Sequence, residues 1–287
     1  MKIRNPILTA ADPFVLLHDG KYYMYATTDK DRGFLVYESE DFNIWENRGH
    51  CLVKEDVCGE EKFWAPEVIF HNGKFYMVYT SEFHLGIAVS DSPLGPFRQK
   101  EKKWLREGRA IDGHFFRDGE KVYLYYVNYE HYGNIFGCEL SRDLMSLVGE
   151  EKRLLWPEHE WELMTKYEKD GMTRCVIEGP FVLKHNGKYH LSYSSNDTQS
   201  PYYAIGCAVS DSPLGPFKKY KNNPILAKNE KFNGPGHHSF TTTKDGKKLI
   251  CVYHRHQSLT EWQPRVACAD FAEFFEEDGE TRLRILY

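Results

Sequence analysis

The decapeptide Ala88-Val89-Ser90-Asp91-Ser92-Pro93-Leu94-Gly95-Pro96-Phe97 recurs without change as Ala208 to Phe217, 120 residues further on. A chain carrying such a copy is built from repeated units, and the rest of the sequence shows their period. An apolar run, a polar-glycine turn and an aromatic strand follow one another five times, at residues 14–27, 68–80, 114–127, 181–194 and 239–254. The turns Asp19-Gly20, Asn72-Gly73, Asp118-Gly119, Asn186-Gly187 and Asp245-Gly246 favour tight hairpins, because both residue types tolerate positive φ. Their glycines stand 53, 46, 68 and 59 residues apart.

A hairpin plus one or two further strands in each interval matches a propeller blade, an antiparallel sheet that buries both faces only when neighbours stack around an axis. The expected fold is therefore all-β, a five-bladed β-propeller forming one catalytic domain over residues 1–287. A β-sandwich would show no such period. Only residues 158–170 break the β pattern, and a short helix carrying Trp161 and Met164 is expected there.

Composition narrows the function. Lys and Arg number 37 against 42 Asp and Glu and are scattered, which argues against a nucleic-acid partner. The longest uncharged run, Thr198 to Ser210, contains Pro201 and Gly206 and is too short to span a bilayer. The start, Met1 to Pro6 followed by Asp12-Pro13, leaves no room for an apolar signal core, so the expected location is the cytoplasm, or outside the cell after removal of a signal. The seven cysteines form no CxxC pair and sit in apolar alternation, as reduced core residues do. Aromatics at 15% suit both strand packing and stacking on sugars.

Counting back from each turn glycine reaches the strand start nearest a propeller axis. Asp12 lies there in the first unit, Trp64-Ala65-Pro66-Glu67 in the second, Asp112 in the third, Glu178 in the fourth and His237-His238 in the fifth. Each alone reads as a turn or cap residue. Together they bring three carboxylates into one funnel, where mutual repulsion separates their pKa values and leaves a proton on at least one near neutrality. A base and an acid on opposite sides of a substrate are what glycosidic hydrolysis needs.

The sequence here resembles glycoside hydrolase family 43, five-bladed propellers that invert the anomeric centre of β-D-xylosides and α-L-arabinofuranosides. The resemblance runs from Arg4-Asn5-Pro6 to about residue 256. It is carried by Ala11-Asp12-Pro13-Phe14, Trp64-Ala65-Pro66-Glu67-Val68, Ile111-Asp112-Gly113-His114-Phe115-Phe116, Ile177-Glu178-Gly179-Pro180 and Gly234-Pro235-Gly236-His237-His238-Ser239. It implies that Asp12 is the general base, Glu178 the general acid, and Asp112 the residue that orients Glu178 and raises its pKa. It also implies a water-coordinated calcium beside His237 and no organic cofactor. Gly113 stands where the family more often has proline, and Glu67 where it often has aspartate, which blurs the substrate class.

The remaining candidates have two readings each. Trp64 stacks on sugar or on the adjacent blade; Arg255 donates to sugar hydroxyls or makes a surface ion pair; Trp156 and Trp161 shape the pocket rim or pack locally. Glu67 and His237 join Trp64 and Arg255 as expected substrate contacts, while His238 and His114 read as structural. The expected activity is exo-acting hydrolysis of pentosides in short oligosaccharides. Endo-arabinanase action, a phosphorylase, which would need cations in place of a carboxylate base, and a non-catalytic sugar-binding propeller are the alternatives.

Overall fold

The computed structural model describes residues 2–131, 133–163 and 176–287. Its strands form five sheets whose first strands pack in a closed ring, the fifth returning to the first: a five-bladed β-propeller. Blade one comprises Ala11–His18, Lys21–Thr27, Gly33–Ser39 and Glu46–Val53. Blade two has Trp64–His71, Lys74–Ser81 and His84–Ser90; an isolated bridge from Val89 to Arg98 stands where its fourth strand would be. Blade three has Ala110–Asp118, Lys121–Asn128, Asn134–Leu140 and Leu147–Leu155, and blade four has Ile177–His185, Lys188–Ser195, Ala204–Ser210 and Lys218–Lys219.

Blade five closes the ring with strands from both ends of the chain. Leu8–Thr9 pairs with Val266 and Ala267 at one end of the long strand Val266–Glu277, and Glu280–Leu286 pairs with its other end. Gly236–Thr242 and Leu249–Arg255 complete the sheet.

The expected hairpins form at all five turns. At Asp19-Gly20, Asn72-Gly73 and Asn186-Gly187 both residues have positive φ, the conformation whose twist matches the flanking strands. The duplicated decapeptide proves to be a clasp between blades. Tyr25 of blade one donates its hydroxyl to the Pro93 carbonyl at 2.6 Å, and Tyr125 of blade three does the same to Pro213 at 2.5 Å. Phe97 is fully buried in the core between blades one and two, and Phe217 packs at the junction of blades three and four. The copies recur because two blade junctions need the same plug.

Cys51, Cys58, Cys138, Cys207, Cys251 and Cys268 are free thiols, all buried except the half-buried Cys58; Cys175 lies outside the described residues. Within the segment expected to be helical, the described part contains a 3-10 turn, Glu160–Leu163, which carries Trp161; Met164 and the rest of the expected segment lie outside the described residues. No helix among the described residues is long and apolar enough to cross a membrane.

Candidate active site

Every blade begins with the same defect. The register between its first two strands slips at residues 12–13, 65–66, 112–113, 179–180 and 237–238, leaving two residues unpaired in each case. The first of each pair, Asp12, Ala65, Asp112, Gly179 and His237, has φ between 45° and 57°. Such a bulge re-aims its side chain, here into the axis, and Asp and His are among the residues that tolerate this left-handed region best.

The bulges also refine the sequence reading, which put all the candidates in one slot. Asp12, Asp112 and His237 share the slot, whereas Glu178 and Trp64 occupy the position before it, paired with Ser194 and Thr80. Asp12, Asp112 and His237 nevertheless converge, with Glu178 beside them. His237 Nδ1 lies 3.5 Å from Asp12 Oδ1 and 3.8 Å from Asp112 Oδ2, and all three line the axial cavity. Gly179, next to Glu178, donates its N–H to Asp112 Oδ2 at 3.2 Å.

The three carboxyls are held differently. Asp12 Oδ2 accepts from Thr27 Oγ1 at 2.6 Å and Oδ1 from Arg265 Nη1 at 2.9 Å. Burial alone would raise the Asp12 pKa, but Arg265, His237 and His254 outweigh it and hold the carboxyl well below the usual range. Of these only Arg265 is a cation near neutrality, because burial depresses both imidazoles, His254 to about 3. Glu178 has one hydrogen-bond partner among the described residues, Tyr203, whose hydroxyl donates to Oε1 at 2.7 Å. Burial, with the Asp12 charge adding to it, pushes Glu178 up to about 7 against the opposing pull of Tyr203 and Arg265. Asp112 is raised well above the carboxylate range by burial and by Glu178 and Asp12. The site thus pairs an ionised carboxylate with two carboxyls that between them retain a proton near neutrality.

Tyr203, Arg265, Thr27 and His254 were not singled out by the sequence reading. Tyr203 and Arg265 come from loops between the second and third strands of blades four and five, where no repeat marks them. Thr27 and His254 carry a signal that aligning the blades would expose, since they are equivalent residues at the ends of second strands.

The other sequence candidates are placed as follows. Trp64 is half-buried and meets Phe83 edge-on, with centroids 5.1 Å apart; the Arg109 guanidinium lies over the Phe83 ring at 4.4 Å and the Tyr129 ring at 5.5 Å. Tyr129 senses the charges of Glu178 and Asp112, so this aromatic wall borders the carboxyls. Glu67 lines the axial cavity, but its carboxylate joins blades two and three, one oxygen taking the Phe115 N–H at 2.8 Å and the other 2.9 Å from His114 Nδ1. His114 Nε2 in turn accepts from the Val182 N–H at 2.9 Å, and His238 bonds Ser192 Oγ at 2.6 Å, in keeping with structural roles. Arg255 lies over Phe232 at 5.3 Å, so the guanidinium on the triad is that of Arg265 instead. Trp156 stacks with Arg153, and Trp161 stacks on Tyr193 beside the buried Glu162–Lys219 ion pair; both pack locally.

Calcium takes six to eight oxygen ligands. Among the described residues no cluster of three or more His, Cys, Asp or Glu is arranged to hold a metal. The axial cavity of about 20 Å³ has room for roughly one water, which needs about 10–15 Å³. The residues around His237 do not supply a calcium shell, and no chemical step is derived through one.

The sequence profile described as Glycosyl hydrolases family 43 matches residues 3–279. The chain belongs to glycosyl hydrolase family 43. It is similar to a thermostable family-43 glycoside hydrolase of known structure, with 40% identity, a TM-score of 0.87 and coverage of 99% of this chain and 96% of that one. A structure from Bacteroides thetaiotaomicron described as an endo-1,4-beta-xylanase is 35% identical with a TM-score of 0.89, covering 98% and 96% of the two chains. A Streptomyces chartreusis protein named extracellular exo-alpha-(1->5)-L-arabinofuranosidase is 28% identical over 88% of this chain and 82% of its own length. This family 43 protein is a glycosidase, and carbohydrate is its substrate class.

Proposed function

We propose that this glycosidase is an inverting, exo-acting pentosidase that releases xylose or arabinofuranose from short oligosaccharides. The observation that carries the reading is the unlike setting of two carboxyls at one axis: Asp12 is bonded at both oxygens, by Arg265 at 2.9 Å and Thr27 at 2.6 Å, and its pKa is held low, whereas Glu178 has only the Tyr203 hydroxyl among the described residues and burial pushes it up to about 7. Asp12, fixed at both oxygens, takes a proton from a water as that water's oxygen attacks the anomeric carbon. Glu178, with Tyr203 on Oε1, gives its proton from the other oxygen to the departing glycosidic oxygen. Asp112 holds the backbone beside Glu178, and burial together with the charges of Glu178 and Asp12 raises its own pKa.

Trp64, Phe83 and Tyr129 meet edge to face, at 88° and 63°, and form an aromatic wall beside the carboxyls in which the Trp64 ring is the surface proposed to stack on a pyranose or furanose face. Relatives named xylosidase/arabinosidase, from Bacteroides ovatus, and exo-alpha-(1->5)-L-arabinofuranosidase support the substrate class and the exo mode. The test is a panel of p-nitrophenyl pentosides with and without phosphate, then the preferred sugar as an oligosaccharide. Proton NMR of the first product, read before mutarotation, is expected to show the anomer opposite to that of the substrate. A retained anomer overturns the mechanism, phosphate dependence marks a phosphorylase, and release of internal fragments marks endo action.

A further inference from the structure

Five equivalent positions close the inner ring, and one of them is different. The residue paired just before each bulge, at the end of each second strand, is Thr27, Thr80, Val127, Ser194 and His254 in blades one to five. In four blades this side chain accepts the N–H of the bulge residue of the next blade. Thr27 takes Ala65 at 2.9 Å, Thr80 takes Asp112 at 3.0 Å, Ser194 takes His237 at 2.7 Å, and His254 Nδ1 takes Asp12 at 3.1 Å. Val127, fully buried, has no acceptor to offer Gly179.

A buried N–H without a partner costs about 1–3 kcal/mol, so the Gly179 N–H must be satisfied by something else. It is satisfied by Asp112, at 3.2 Å. Comparison with blade one shows what this does. There the order is carboxylate, hydroxyl, next blade: Thr27 donates to Asp12 Oδ2 and accepts from Ala65, so the hydroxyl stands between the aspartate and blade two. In blade three the hydroxyl is missing, and the equivalent aspartate reaches across to blade four itself.

We infer that Val127 is a positioning residue for the general acid: by withholding an acceptor from Gly179, it makes Asp112 bind the backbone that carries Glu178. Two aspartates in the same bulge slot thereby acquire different jobs. Asp12, screened by Thr27 from the next blade, stays aimed at the water; Asp112, unscreened, is tied to the residue next to the acid. The inference rests on the proposed role of Glu178 and adds the device that sets its backbone.

The test is Val127→Thr, which is nearly isosteric and supplies the hydroxyl that blade one has, with Val127→Ala as the control that removes bulk but adds no acceptor. Both are assayed on aryl pentosides of graded leaving-group pKa and on the corresponding disaccharide, alongside Glu178→Ala, with melting temperatures recorded. Because displacement of a catalytic group by even 1 Å costs up to about a hundredfold, Val127→Thr is expected to lose about tenfold or more in kcat/KM on the disaccharide. On the dinitrophenyl glycoside, whose leaving group needs little protonation, it is expected to stay within about twofold of wild type. Val127→Ala is expected to change both substrates by the same small factor. Equal loss on both substrates for Val127→Thr, with or without a lower melting temperature, overturns the inference, as does behaviour identical to Val127→Ala. If Glu178→Ala shows leaving-group dependence and Val127→Thr does not, the inference alone fails; if Glu178→Ala shows none, the assignment of the acid fails with it.

Discussion

Replacing Tyr203 by phenylalanine removes one hydroxyl and leaves the ring, which stacks on His254 at 5.7 Å with planes 6° apart, where it is. The lost hydroxyl is the donor to Glu178 Oε1 at 2.7 Å. That bond favours the ionised carboxylate, so it opposes the burial that pushes Glu178 up to about 7. A hydrogen bond to a charged group is worth about 1.5–3 kcal/mol, and each pKa unit about 1.36 kcal/mol. Removing it should therefore raise Glu178 by about one to two units. Tyr203 is fully buried, which leaves little room for a water to replace the hydroxyl and shrink the effect.

Activity on an unactivated glycoside requires Glu178 protonated, so kcat/KM falls as pH rises through its pKa. In the wild type that descending limb is expected near pH 7; in Tyr203→Phe it should move up to about pH 8–9. The assay is a pH–rate profile on the best natural disaccharide. The plateau below the limb is expected to drop, because the carboxyl has lost the Tyr203 hydroxyl that fixes Oε1. A limb that stays in place or moves to lower pH refutes the argument that Tyr203 acts on the ionised form.

Arg265→Gln removes the only cation on Asp12 near neutrality among the described residues, and burial then raises the carboxyl; an ascending low-pH limb should enter the measurable range of the same profile, and an unmoved limb would count against Arg265 as the group that keeps the base ionised. Glu178→Gln should be more stable than wild type at pH 8 but not at pH 4. Raising the folded-state value from 4.5 to about 7 costs the wild type about 3 kcal/mol, lost progressively as pH rises between those two values. Urea unfolding at both pH values measures the difference, and an equal ΔΔG at each would show that Glu178 is not strained by burial.

The fold was legible because turn chemistry is local. Asp-Gly and Asn-Gly pairs specify hairpins through their own φ preferences, and five of them at blade spacing leave few architectures open. The carboxylates were legible because each lies at a countable distance from such a turn. The count wavered between seven and nine residues for two reasons in the register: Glu178 stands one position before the bulge slot, and in blade three the glycine opens the turn, with Asp118 paired to Lys121, whereas in blade one it ends the turn, with His18 paired to Lys21. Arg265 and Tyr203 were not legible, since the contacts that define them span 253 and 25 residues and arise in irregular loops. Arg255 attracted the sequence reading by its flanking histidines, yet strand alternation turns it to the face opposite His254, which is the residue that reaches Asp12.

Four of the five bulge positions, Asp12, Ala65, Asp112 and His237, hold side chains at positive φ, a conformation that costs of order 1–3 kcal/mol each, and the ring of inter-blade acceptors explains how they persist. Each strained N–H is anchored by a residue of the preceding blade, so relaxing Asp12 would break its bond to His254 and relaxing His237 its bond to Ser194. The strain is thus distributed around a closed circuit rather than borne by one loop. A propeller suits this chemistry because closure supplies the constraint: an open stack of the same blades would leave Asp12, in the first, without the His254 of the last. The strand Leu8–Thr9, which pairs with Val266 and Ala267 immediately before Asp12 begins its bulge, couples ring closure to the placement of the proposed base. Even the break in the circuit at Val127 is filled from within the site, by Asp112, so that the one missing staple is made by a member of the triad.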